Sequence, residues 1–119
     1  MKNLFGLLPD MFKARYQTRD IDKVVVDINT VLRPALTVIN GFVTMEGRGP
    51  VHGTPVQMDT IIAGADPVAT DATAARIMGF DPHEVWPIRL AHEKGLGEME
   101  DVEVVGARIE DVARAFKRP

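Results

Sequence analysis

The 119 residues carry a net charge of −3, with 45% hydrophobic and 26% charged positions. These are proportions of one ordinary globular domain, and they leave no basic footprint for nucleic acid or an anionic membrane surface. The chain has no cysteine and no serine, so disulfides, thiolate metal sites, iron–sulfur ligation by this chain and serine or cysteine nucleophiles are excluded by inventory. Thr, Lys, His, Asp, Glu and Tyr16 are left as candidate reactive groups.

The opening run Leu4-Phe5-Gly6-Leu7-Leu8 is cut by Pro9 and Asp10, too short for a signal-peptide core or a membrane span, and the expected location is cytoplasmic. A short helix is expected around 11–16. From Asp20, placed as an N-cap, Ile21, Val24, Val25, Ile28 and Leu32 recur at helical spacing until Arg33-Pro34 stops them. The triplet Val24-Val25-Val26 makes a strand the rival reading, but Asp22, Lys23, Asp27 and Asn29 fit a helix's polar face.

Ala35–Ile39 reads as a buried strand closed by an Asn40-Gly41 turn. A glycine-rich loop is expected next, then a second strand over 56–63. Asp66-Pro67 marks a helix start, with the aspartate as cap and proline where its missing N–H is harmless. That helix covers about 67–78 and ends at Gly79. Asp81-Pro82-His83-Glu84 has capping-box spacing, and a helix follows from Pro87 to Lys94, stopped by Gly95 and Gly97. Val102–Val105 reads as a third strand, and Ile109, Val112, Ala113 and Phe116 as a final amphipathic helix. The predicted fold is α/β: one domain over 1–119, with a small mixed sheet of about three or more strands and helices packed on it.

Candidate chemistry concentrates in 40–71. Gly47, Arg48 and Gly49 could form a backbone nest for a phosphate or carboxylate, with His52 as a second donor and Gly53 giving close approach. The plainer reading of so many glycines and prolines is a turn, and the spacing and lysine of a P-loop are missing. Glu46, Asp59, Asp66 and Asp71 could supply oxygen ligands to a divalent cation, or an acid and base. Asp66 is better read as a helix cap. Asp71 lies five residues further, so the two aspartates should face different surroundings. Glu46 and Asp71 are the candidate catalytic groups; Gly47, Arg48, Gly49, His52 and Gly53 are the candidate ligand-binding set; no metal identity follows. His83 and His92 read as surface residues, Trp86 as core or interface, and Lys2 as solvated.

Lys2-Asn3-Leu4-Phe5-Gly6, Thr44–Pro50, Ala65-Asp66-Pro67-Val68-Ala69-Thr70-Asp71, Met78–Pro82 and Gly95-Leu96-Gly97 together resemble the family known as domain of unknown function 362. The motifs run in family order over nearly the whole chain. The resemblance implies redox surroundings, because family members often carry a ferredoxin-like cysteine-rich segment. It also implies that this chain corresponds to the C-terminal portion of a larger family domain. Any iron–sulfur cluster would then belong to a partner or to a segment outside this sequence. Three functional readings stand: the ligand-facing part of a redox-associated enzyme that binds a small anion; a non-catalytic anion- or metal-binding module; or a structural half-domain that packs against the family's N-terminal half, an iron–sulfur partner or a second copy as a homo-oligomer.

Overall fold

The computed structural model describes residues 1–17 and 20–118. A 3-10 helix over Lys2–Leu7 leads into α1 (Asp10–Gln17) and α2 (Ile21–Val31). A long hairpin follows, β1 (Thr37–Arg48) and β2 (His52–Gly64), then α3 (Pro67–Ile77), a 3-10 turn Pro82–Glu84, α4 (Trp86–Glu93) and the single turn α5 (Ile109–Val112). The expected α/β mixture is present, with an antiparallel sheet of two strands among the described residues rather than three or more.

The core is helical. Val25 and Val26 of α2, Val68, Ala72 and Ala75 of α3, and Ile88 and Ala91 of α4 are buried together with Met99. Small residues on α3 let its neighbours approach closely, as the alanine-rich face implied. Asn29 is buried within the same layer and donates to the Val25 carbonyl (2.8 Å) and to that of Met1 (3.3 Å). Its Oδ1 finds no partner among the described residues.

α2 follows the predicted helix rather than the rival strand. Its Asp20 sits at the N-cap in a left-handed conformation and makes no side-chain cap bond, so here the cap mechanism was misread. α3 was read correctly down to its chemistry. Asp66 Oδ1 accepts the amides of Val68 (2.7 Å) and Ala69 (3.1 Å), with Pro67 at the first helical position. Asp81 likewise caps the Pro82–Glu84 turn through the His83 amide, but Glu84 turns outward to Arg118 instead of closing a capping box.

Asn40-Gly41 does not turn the chain. β1 runs straight through it, half-exposed rather than buried, and the reversal comes at 49–51. Asn40 Oδ1 accepts the Phe42 amide (3.0 Å), so its turn-forming habit is spent locally. Gly41 lies against β2, where a Cβ would stand 2.8 Å from the Thr60 carbonyl oxygen. The register slips just beyond: Gly41 faces Thr60, but Val43 faces Gln57. Two β2 residues therefore oppose Phe42 alone, and Asp59 takes a φ of 49° to accommodate the bulge.

Two expectations fail at the C-terminal end. Residues 102–105 have no regular structure, because no strand pairs with them among the described residues. The final helix stops at Val112 because Arg114 N–H donates to the Ile77 carbonyl (2.8 Å) and Phe116 N–H to that of Met78 (3.0 Å). These bonds draw the chain along the end of α3 and bury Phe116 there.

Candidate functional site

The predicted ligand-binding residues lie at the hairpin tip. Arg48 and His52 are directly opposite one another across the ladder, as are Gly47 and Gly53, and both cationic-type side chains are exposed. Two amides of the anticipated nest are already used: Gly47 N–H donates to the Lys117 carbonyl (3.0 Å) and Gly49 N–H to that of Gly47 (2.9 Å). Glu46 turns to the C-terminal segment, where its Oε2 accepts the Lys117 amide (3.0 Å) and its Oε1 lies 3.8 Å from the Lys117 ammonium.

Asp71 is elsewhere. It lines a cavity of about 420 Å³ with Lys2, Asp22 and Phe80 among others, and accepts the Met1 amino group at 3.0 Å. None of Glu46 to Gly53 lines any of the four main cavities, so none of them joins the two candidate catalytic carboxylates. Asp66 and Asp71 do face different surroundings, as their five-residue separation on a helix requires.

Asp66 is a highly connected polar group, its carboxylate accepting three backbone amides. While Oδ1 caps α3, Oδ2 accepts the Glu98 amide (2.7 Å), so one carboxylate ties a helix start to the 95–99 turn across 32 residues of chain. Gly97 passes so close that any Cβ there would strike this carboxylate. Glu98 then folds back on its own turn, and its Oε1 accepts the amides of Met99 (2.8 Å) and Glu100 (2.7 Å). The Glu100 amide is the main cause that holds the Glu98 carboxyl below its ordinary pKa, with partial burial opposing it. His92 completes the turn: its Nδ1 lies 3.1 Å from the Gly97 carbonyl. Sequence reasoning read this histidine as a surface residue and stopped at the glycines; its placement on the last turn before Gly-Leu-Gly was the available signal.

Asp66 also stands between two cavities. One, of about 320 Å³, includes Asn29, Arg33 and Leu96. The other, about 370 Å³, opens between β2, α3 and residues 98–109. A fourth cavity of about 500 Å³ is almost wholly apolar, with Leu4, Leu8, Tyr16 and Ile28 in its wall.

The donor set does not fit an iron–sulfur cluster: the chain has no cysteine, and no group of three or more His, Asp or Glu suited to a metal ion exists among the described residues. No helix among them is long and apolar enough to cross a membrane.

Helices joined to a long hairpin through α3, with carboxylates that organise turns, define an α/β fold. The chain belongs to the family described as Domain of unknown function (DUF362), which it matches over residues 1–76. It is 30% identical over 100 residues to the thylakoid-associated protein sll1697 of Synechocystis sp., a match that takes in 79% of this chain and 31% of that protein. The chain therefore spans about a third of the length of this curated relative. No solved structure matches it.

Proposed function

We propose that this chain is an assembly half-domain whose hairpin face is covered by further polypeptide of the family architecture. The observation that carries the reading is the apolar surface along the hairpin. Val38 and Ile61 are 58% and 60% exposed and share one face of the hairpin with exposed Phe42, while Val43, 62% exposed, and Met45 lie on the opposite face toward the tip. Strands of 12 and 13 residues are about twice the usual length, and two strands alone make a marginal sheet in water. An exposed, long, apolar sheet with open edges is a surface made for pairing or packing. Further polypeptide of the kind that the longer relative has beyond the matched part is the occupant we assign to it. Glu46 then acts as a structural anchor for the C-terminal segment, and the redox surroundings of the family belong to the covering part.

Val38→Lys and Phe42→Lys, at exposed positions of one face, leave the melting temperature of the chain nearly unchanged. Co-expressed with the part of the cyanobacterial relative outside the match, the wild-type chain should coelute as a one-to-one complex that either lysine breaks. A homodimer broken by the same lysines reassigns the face to a second copy. A chain that stays monomeric with no change on either substitution overturns the reading.

A second reading keeps a small anion at the hairpin tip, supported by the cross-strand placement of Arg48 opposite His52.

A further inference from the structure

Between β2 and the segment after α4 lies the cleft of about 370 Å³. Thr60 to Gly64 form one wall, and β2 pairs only with β1 among the described residues. In an antiparallel strand, alternate residues direct their N–H and C=O groups away from the partner, so this edge offers unpaired donors and acceptors over about 16 Å. Val102, Glu103, Val104 and Val105 form the opposite wall, and none of their backbone groups has a hydrogen-bond partner among the described residues. Here lies the segment whose β-branched composition predicts a strand. Two stretches of strand-forming sequence thus face a common cleft, each lacking a neighbour on that side.

The floor mixes Ala69, Thr70, Thr73 and Ile77 of α3 with Ile109 and Val112 of α5. Every charged residue in the wall is acidic: Asp66, Glu98, Asp101 and Glu103. Repeating backbone donors and acceptors on two sides recognise another backbone, whereas a compact small molecule would leave most of them unmet. The surrounding carboxylates favour a cationic side chain at the occupant's end.

We infer that this cleft is a strand-accepting site: an extended peptide with alternating β-branched residues and a Lys or Arg at its end inserts between β2 and residues 102–105 and turns the hairpin into a four-stranded sheet. The inference deepens the assembly reading and rests on it, since the inserted strand comes from the polypeptide that covers the module. The covering polypeptide then engages both a face and an edge of one hairpin.

The test uses the full 119-residue chain and the synthetic peptide acetyl-Lys-Val-Thr-Val-Thr-Val-Lys-amide, followed by amide NMR and hydrogen exchange. Saturable shifts and slowed exchange are expected at Thr60–Gly64 and Val102–Val105. A peptide with proline at both threonine positions lacks two donors and should bind at least tenfold more weakly. Val104→Pro, at an exposed position with no backbone bond to lose, should weaken binding of the first peptide at least tenfold while the far-UV spectrum stays the same. No saturable shift, equal affinity for the proline peptide, or shifts along Val38–Met45 instead would overturn the strand site. Failure here with lysine-sensitive coelution leaves assembly through the face standing, and the reverse pattern removes the face while keeping the edge.

Discussion

Asp66 acts as a small junction. Its carboxylate holds three amides, two at the start of α3 and one at Glu98, while Gly97 leaves it room. Losing an N-cap costs about 1–2 kcal/mol, and Asp66→Ala also strands the Glu98 amide, so the variant should fall at the upper end of that range or beyond it in urea unfolding. Asp66→Asn, which keeps an acceptor oxygen for α3, should lose less; equal losses would mean that charge matters more than the hydrogen-bond count. Arg48 gives the contrasting case. Exposed at the hairpin tip, it should tolerate Arg48→Ala with a change within about 0.5 kcal/mol. If a phosphate titration shifts the amides of residues 47–53 in the wild-type chain and not in this variant, the tip binds anions. Loss of folding would instead make Arg48 a packing residue.

At the scale of elements, legibility followed the range of the forces involved. α2, α3 and α4 were readable because their apolar spacing and their proline or glycine stops are local, and for α3 Asp66-Pro67 also carries the cap mechanism within two residues. The hairpin was only half readable. Its turn was placed at Asn40-Gly41, the stronger local signal, while the cross-strand partners of Gly41 keep the chain extended there. Residues 102–105 have strand composition without a strand neighbour, and no local pattern reveals that a neighbour is missing. The candidate site suffered likewise: Glu46 and Arg48 were visible as chemistry, but Glu46's engagement by Lys117 spans 71 residues. The 97–101 turn, by contrast, is predicted to respond to pH. With the folded Glu98 pKa depressed, chiefly by the Glu100 amide, its contribution is present above the ordinary glutamate value of about 4.3 and fades as pH falls through the lower folded value. Exchange at the Met99 and Glu100 amides, corrected for intrinsic rate, should accelerate in that acid window, and Glu98→Gln should remove the acid step. An unchanged step in Glu98→Gln would assign it to another carboxylate.

For the whole molecule, the distribution of burial separates the chain into two regimes of stability. The core cluster is drawn from α2, α3, α4, Met1 and Met99, and no residue of β1 or β2 belongs to it. The hairpin is held by its own ladder, by contacts of α3 with both strands and, near its tip, by Lys117. Cooperative units with few buried apolar contacts open at lower free energy than the core. Native-state hydrogen exchange should therefore show the amides over 43–56 opening locally, with weak urea dependence, while those of α3 and α4 exchange only through global unfolding. Met99→Ala sharpens the distinction. Met99 is 1% exposed and its carbonyl accepts Arg76 Nη2 at 2.7 Å, so truncation leaves a cavity under the turn and should cost about 2–5 kcal/mol. That loss should appear in full at α3 and α4 and leave exchange over 43–56 little altered. Val105→Ala, at a position 85% exposed, should change neither. Hairpin amides as protected as those of α3, and weakened equally by Met99→Ala, would show one cooperative unit and remove the reason for the sheet to need a covering partner. If the two regimes are found, binding of the covering polypeptide should raise protection over 43–56 toward the global value, because the sheet then gains the apolar contacts that this chain does not supply.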